Sequence, residues 1–588
     1  MNIRFIVLLT SLFLYFTLIQ IPISASANYA EGLIIKSKPS TQNSKRLRLT
    51  DTLIDKAWKG EKGKNVLKID LGEERKFNTV RFQVKEDITF TEIKLKAGTS
   101  NDNKVVIYDN TNLSRLANEW ITLKTSKTNA RYINLILKKK RPKIYELEVY
   151  CTEQDFNGDG YDDFIVGAYL HNAGGSDRGR AYVYLGGSSL SSTPALTLSG
   201  DEDGALFGNS VTGIGDINKD GYDDFIVGAY LHNAGGSNRG RAYVYLGGSS
   251  LGSTPALTLS GDQDGALFGN SVNDIDDVNN DGYDDFIVGA YSHNAGGTSQ
   301  GRAYVYLGGS SLSSSPALTL SGDENSALFG NSVSGIGDAN KDGYDDFIVT
   351  APFHDAGAGS TADRGRAYVY LGGFSLSSTP ALILSGDEDD AFFGNSVSGI
   401  GDANKDGYSD FIVCADGHDA GAGSTANRGR AYVYFGGSSL SSIPSVLTGD
   451  EDGAIFGNSV SGIGDANKDG YDDFIVAAYG HDAEAGSSAD RGRAYVYFGG
   501  SSLSSTPALT LSGDENSALF GNSVSGIGDA NKDGYDDFIV TAPFHDAGAG
   551  SNADRGRAYV YFGGTNLSST PSVLSGDEDI AYFGISVD

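Results

Sequence analysis

Asp155-Phe-Asn-Gly-Asp-Gly-Tyr-Asp-Asp163, running directly into Phe164-Ile-Val-Gly-Ala168, decides the reading of most of this 588-residue chain, because it returns six more times. The later copies start at Asp216, Asp277, Asp338, Asp402, Asp465 and Asp529. Each puts Asp, Asn and Asp at loop positions 1, 3 and 5, Gly at 6, Tyr at 7 and Asp at 9. Short oxygen-bearing side chains on alternate residues of a tight turn converge on one point, and the Gly permits the bend. With the Tyr carbonyl turned inward, the result is an oxygen cage that suits Ca2+ better than Mg2+. An EF-hand would need a bidentate Glu at position 12, where Val166 and its equivalents stand inside an apolar run. The loop therefore joins strands and not helices. The expected ligands are Asp155, Asn157, Asp159, Tyr161 and Asp163 in the first loop, then Asp216, Asn218, Asp220, Tyr222 and Asp224, and Asp277, Asn279, Asp281, Tyr283 and Asp285. They continue with Asp338, Asn340, Asp342, Tyr344 and Asp346, then Asp402, Asn404, Asp406, Tyr408 and Asp410. Asp465, Asn467, Asp469, Tyr471 and Asp473, and Asp529, Asn531, Asp533, Tyr535 and Asp537 complete the set, which predicts about seven structural Ca2+ ions. Ser409 replaces an Asp at position 8 of the fifth loop, a position outside the ligand set.

The loops recur at intervals of 61, 61, 61, 64, 63 and 64 residues, a period that marks a closed or stacked array. Four short strands fit each unit, in the second unit 206–211, 224–229, 241–246 and 256–260. Such a unit predicts a propeller blade, and the whole an all-β protein. The array begins at a metal loop with no Phe-Gly strand before it, and it ends at Ala581–Asp588 with no metal loop after it. Each end supplies what the other lacks, so the C-terminal strand is expected to close the ring and remove two open sheet edges.

Charge separates two domains. Residues 1–150 hold 27 of the 45 Lys and Arg and 15 of the 75 Asp and Glu, a net charge of +12, and the remainder carries −42. An acidic segment this rich in aromatics is not disordered, so cations must neutralise it, and nucleic acid is excluded as a natural partner. The apolar run at residues 5–23 follows Arg4, and Ala25-Ser26-Ala27 supplies small residues where a signal peptidase cuts. Residues 1–27 therefore read as a signal peptide and the protein as secreted or held at the cell surface. An uncleaved anchor is the alternative, since the run approaches spanning length. No second such run follows, so the mature chain is expected to have no transmembrane segment. Two cysteines, Cys151 and Cys414, make no disulfide framework. Cys414 stands where the other repeats have Gly, Ala or Thr, and it reads as a small buried hydrophobe.

After a linker at 28–39, residues 40–151 alternate apolar and polar in runs such as Val66–Leu71, Thr79–Val84, Ala130–Ile136 and Ile144–Tyr150, the pattern of half-buried antiparallel strands. Through Ala57-Trp58, Ile69-Asp-Leu-Gly-Glu73, Ala130-Arg-Tyr132 and Glu146-Leu-Glu-Val-Tyr150 this segment resembles the discoidin (coagulation factor 5/8 C-type) family. That resemblance implies a jelly-roll β-sandwich, and a carbohydrate or surface binder. The run Lys138-Lys-Lys-Arg-Pro-Lys143 reads either as a contact for anionic glycan or lipid or as a solvated turn.

Residues 152–588 resemble the FG-GAP repeats of the integrin α-subunit head. Phe-Gly recurs at Phe207, Phe268, Phe329, Phe393, Phe456, Phe520 and Phe583, and Gly-Ala-Tyr, Thr-Ala-Pro or a close variant follows each metal loop. The resemblance implies a seven-bladed β-propeller with Ca2+ in its blade hairpins. It does not carry over that family's ligand recognition.

One His and one Arg recur at fixed offsets in every repeat, at His171 and Arg180 in the first. A residue repeated in every blade serves blade packing, whereas a catalytic site needs a few groups of different kinds. Near-copies argue against a single specialised pocket. The stretch from Ser321 to Ser360 returns unchanged from Ser512 to Ser551. No catalytic residue is assigned. The expected function is an exported, calcium-binding adhesion or glycan-binding protein, its ligand a glycan or a cell-surface or extracellular protein. The alternatives are a polysaccharide lyase or hydrolase and a purely structural surface component. Loops from the recurring His to the Arg are three residues longer in the last four repeats, such as His354 to Arg366 against His171 to Arg180. That wall of longer loops reads either as the binding face or as drift between two duplicated subsets of repeats, since the loops are rich in Gly, Ala and Ser and hold no aromatic anchor.

Overall fold

The computed structural model describes residues 154–588 apart from 358–361, 422–425, 484–488 and 549–552, and describes strand segments within residues 1–150. The strands before Thr152 and the sheets after Glu153 form two compact units. In the first, long strands Lys62–Val84, Trp120–Lys140 and Lys143–Tyr150 pair antiparallel, and along Glu92–Gly98 burial alternates, with Ile93, Leu95 and Ala97 inside. The alternating runs of the sequence thus lie on strands. Residues 28–39, expected as a linker, hold the strand Ile34–Ser37, which pairs antiparallel with Lys62–Val84. Most of the expected signal segment, and the side chains on which the discoidin-like reading rests, lie outside the described residues.

The second unit is all β. Seven antiparallel sheets follow one another: Phe164–Ala168, Arg180–Tyr184 and Leu196–Ser199 form the first, and six four-stranded sheets follow. In the second sheet the order is Val211–Gly213, Phe225–Ala229, Arg241–Tyr245 and Leu257–Ser260. Innermost strands of successive sheets pack on one another and line the axis, as in a seven-bladed propeller. The composition of each strand follows its place. Phe-Ile-Val-Gly-Ala is buried along its whole length because both faces of a blade are covered by neighbours, whereas the outermost strand alternates, burying Leu259 and exposing Thr258.

Blades adhere through aromatic layers. Between the first and second sheets, Ile165, Val183 and Leu198 meet Phe225, Val227, Tyr243 and Phe207. Between the seventh and the first, Ile539, Val560 and Phe583 meet Phe164, Val166 and Tyr182. Phe207 sets its edge on Tyr243 at 5.5 Å, and Phe225 stacks on Tyr245 at 5.3 Å, pairs worth about 0.5–1.5 kcal/mol each beyond their buried area. Ser586–Asp588 run beside the first sheet: Ile165 N–H donates to the Asp588 carbonyl at 2.7 Å and Gly167 N–H to the Ser586 carbonyl at 2.9 Å.

The Phe-Gly signature is not on the first strand as expected; only Val211–Gly213 of the segment 206–211 and its continuation is strand. Leu206 and Gly208 have φ of +57° and +88°, so the chain turns at Phe207 and drives that ring between sheets as a wedge. A Cβ on Gly208 would lie 2.2 Å from the Arg180 carbonyl oxygen, so only Gly fits. Cys414 is fully buried and free, the small core residue that its position in the repeat implied.

Candidate metal loops and the blade latches

Each nine-residue loop leads into the second strand of its blade, at one rim of the ring. In the first, Asp155 Oδ1 accepts from Gly158 N–H at 2.7 Å and its Oδ2 from Gly160 N–H at 3.0 Å. Asn157 Oδ1 accepts from Asp159 N–H at 2.8 Å, and Asp159 Oδ1 from Tyr161 N–H at 3.0 Å. Asp163 spans the base, accepting from Phe156 N–H and Gly186 N–H at 2.9 Å each. Gly160 turns the loop at φ +88°. Position 4 is also left-handed, with φ of +61° at Lys219 and +56° at Asn280, which the ligand pattern did not show.

The structure brings the sequence-predicted residues into one turn in every repeat but spends most of their oxygens on the turn's own N–H groups. Among the described residues no group of three or more carboxylate, imidazole or thiol side chains is gathered at metal-binding geometry. The donor chemistry fits a hard cation nonetheless. Asp285 and Asp410 are fully buried, and each has one carboxylate oxygen without a hydrogen-bond partner. Burial, with the charges of Asp277 and Asp281 adding to it, pushes Asp285 up to about 9. Burial likewise pushes Asp346, Asp410 and Asp473 up to about 8. A carboxyl so placed lacks a positive neighbour, and a bound cation would supply one.

This has a sign that a melt can read. In cation-free protein these carboxyls hold protons that the unfolded chain releases near pH 4. Their contribution is fully present below that value and is lost as pH rises through about 8. Burial lowers His232, His293, His418 and His545, so their contribution is present above about pH 6.5 and is lost as pH falls below it. The cation-free melting temperature is therefore expected to fall from pH 6.5 to pH 9, while cation affinity rises over the same interval because the ligands must be deprotonated. Calorimetric melts and titrations across that range check it; an affinity independent of pH contradicts it.

The opposite rim carries the recurring His and Arg. His232 Nδ1 accepts from Ala234 N–H at 2.8 Å, leaving the proton on Nε2, 3.3 Å from Asp201 Oδ1 and 3.1 Å from Glu202 Oε2. Tyr243 Oη donates to Asp201 Oδ1 at 2.6 Å, and Arg241 Nη1 lies 3.4 Å from Oδ2. Asp201 follows the outer strand of one sheet, and His232, Arg241 and Tyr243 belong to the next, so the group latches blade to blade. In all seven repeats the His Nδ1 accepts the N–H two residues on. The histidines are thus packing residues. Sequence reasoning missed their carboxylate partners, although Gly-Asp recurs before every Phe-Gly.

Position 8 was also missed. Its Asp lies outside the expected ligand set, but Asp223 Oδ2 accepts from Asp155 N–H at 2.7 Å, and Asp162 Oδ2 from Asp529 N–H at 2.7 Å, each joining two successive candidate loops.

The FG-GAP repeat family matches residues 151–184, 207–245, 269–306, 329–370, 456–497 and 520–561. The remaining repeat is the one with Ser409 and Asp416. Among curated relatives, Integrin alpha-5 of Xenopus laevis is 34% identical over 262 residues, covering 42% of this chain and 23% of that protein. Integrin alpha-IIb of Homo sapiens is 38% identical over 149 residues, 24% of this chain and 14% of that one. Phosphatidylinositol-glycan-specific phospholipase D of Rattus norvegicus is 30% identical over 387 residues, 59% of this chain and 45% of that one. The chain spans less than half the length of each. A solved structure of CpGH89CBM32-6 from Clostridium perfringens covers 21% of this chain and 98% of its own at 16% identity and a TM-score of 0.19, a likeness too slight to bear on the fold. The array is thus built of FG-GAP repeats, has integrin α-subunits among its homologues, and folds as a seven-bladed propeller.

Proposed function

We propose that the protein is an exported adhesion or glycan-binding scaffold whose propeller is stiffened by Ca2+ in seven rim loops and closed by its C-terminal strand, with a discoidin-like module as a carbohydrate or surface binder. The observation that carries the calcium reading is the buried position-9 carboxylate with an oxygen left without a partner at Asp285 and Asp410. The scaffold reading rests on the FG-GAP repeats shared with integrin α-subunits and on near-identical blades whose histidines are all committed to packing. No helix among the described residues is long and apolar enough to cross a membrane.

Ligand is assigned to the rim opposite the metal loops, where each second strand ends. There the His-to-Arg loops of the last four blades are three residues longer. Their bases are tied, as where Asp355 Oδ1 accepts from Ala362 N–H at 2.8 Å; residues 358–361 and their counterparts lie outside the described residues. Trimming all four to the short form is expected to abolish capture of the full chain on a glycan and extracellular-matrix array without moving its calcium-loaded melt. Retained capture would move the site to the N-terminal domain. A second reading, an enzyme acting on a phosphatidylinositol-glycan or a polysaccharide, is favoured by the match to the phospholipase D. It predicts release of soluble product from such substrates by the purified chain, which the scaffold reading does not.

A further inference from the structure

The seven rim loops are joined through their main chains. Position 8 lies between the position-7 carbonyl and the position-9 carboxylate of its own loop, and its Asp reaches back to position 1 of the preceding one. Beyond the two joints already described, Asp216 N–H donates to Asp284 Oδ2 at 2.8 Å, Asp402 N–H to Asp472 Oδ2 at 2.6 Å and Asp465 N–H to Asp536 Oδ2 at 2.7 Å. A second bond runs in parallel, from the Gly-Gly after each third strand to the position-2 carbonyl of the preceding loop. Gly248 N–H donates to Phe156 O at 2.8 Å, Gly500 N–H to Ala403 O at 2.7 Å, and Gly187 N–H to Ala530 O at 2.7 Å. In addition, the position-4 Lys lies over the Tyr of the next loop, Lys219 over Tyr283 at 5.3 Å and Lys405 over Tyr471 at 5.5 Å.

One joint differs. At the passage from the fourth loop to the fifth, position 8 is Ser409, and among the described residues no side chain accepts from Asp338 N–H. The Ser409 N–H still donates to the Asp338 carbonyl at 3.4 Å, a main-chain bond also made by Asp223 to Asp155 at 3.2 Å and by Asp472 to Asp402 at 3.5 Å, so only the side-chain contact is missing.

We propose, resting on the calcium reading above, that the loops take up divalent cations as a coupled chain with one weak joint, between the fourth and fifth. The reason is entropic. A cation fixes the position-1 Asp, whose N–H then holds the position-8 Asp of the next loop and with it the two ligands that flank it. The second cation finds part of its ordering already done, and binds more tightly. Where Ser409 interrupts the contact, the joint keeps the Gly437 N–H bond to Ala339 O at 2.8 Å and Lys341 over Tyr408 at 5.5 Å, and that gain is reduced.

Hydrogen exchange of the full chain, followed peptide by peptide through a Ca2+ titration, measures the midpoint of each loop. Asp472→Ser copies the natural fourth-to-fifth joint, so the ring has a precedent for tolerating it; Asp472→Asn keeps an acceptor oxygen. Asp472→Ser is expected to separate the midpoints of the fifth and sixth loops by about fivefold or more, a typical coupling. Asp472→Asn should restore them, and Ser409→Asp should draw those of the fourth and fifth together. Midpoints unchanged within twofold in all three variants would overturn the coupling while leaving the sites. Loops that gain no protection from Ca2+ in the unaltered chain would overturn the calcium reading and the coupling with it.

Discussion

Removing divalent cations from the full chain is expected to lower its melting temperature by more than about 10 °C. A ligand present at a hundred times its dissociation constant adds about 2.7 kcal/mol per site, and there are seven loops of one design. Without a cation, the Asp residues at positions 1, 5 and 9 of each loop crowd one turn. The position-9 carboxyl then keeps its proton or remains buried and charged with like neighbours, since burial and the charges of Asp277 and Asp281 push Asp285 up to about 9. Calorimetry with and without chelator, with metal analysis to prove removal, checks the prediction. Ca2+ should restore the melt more fully than Mg2+, which demands a smaller, stricter octahedron. The same melt in excess chelator would contradict it.

Ending the chain at Asp579 is expected to destabilise the whole ring and to shift it to larger assemblies than the intact chain forms. The deletion removes Phe583 and Val587, which are 1% and 7% exposed, from the layer between the seventh and first sheets. It also removes the partners of Ile165 N–H and Gly167 N–H and so exposes an apolar edge, Phe164–Ala168, open to pairing with another chain. Phe583→Ala alone, which loses the edge-on contact with Tyr182 at 5.4 Å, should cost about 3–5 kcal/mol. Light scattering and melts of both variants test this. A monodisperse truncated chain with an unchanged melt would show that the C-terminal segment is no part of the sheet.

What the sequence disclosed, and what it hid, follows from the range of each contact. Strands two and three of every blade were legible because Phe-Ile-Val-Gly-Ala and Arg-Ala-Tyr-Val-Tyr are runs whose neighbours along the chain set their conformation. The loop was legible because its turn is closed by side-chain oxygens that accept from N–H groups three to five residues on, as Asp155 does from Gly158 and Gly160. The Phe-Gly turn was misread as strand because Phe207 and Val211, four residues apart, would share one strand face, while the left-handed turn at Leu206 and Gly208 is imposed by the neighbouring blade. Position 8 escaped notice for a related reason. Asp223 answers Asp155 from 68 residues away, and in a periodic chain every copy has an equally plausible partner inside its own repeat. The latch of Asp201 on His232 and Tyr243 was hidden in the same manner.

The most direct test of the metal-loop scaffold is native mass spectrometry of the full chain, expressed and purified in calcium and then dialysed against buffer containing none. The account predicts a species carrying about seven Ca2+ ions, one for each loop, that loses them and its high melt together when chelator is added. A chain that retains no Ca2+, or that sheds it with no change in its melt, would contradict the account at its centre.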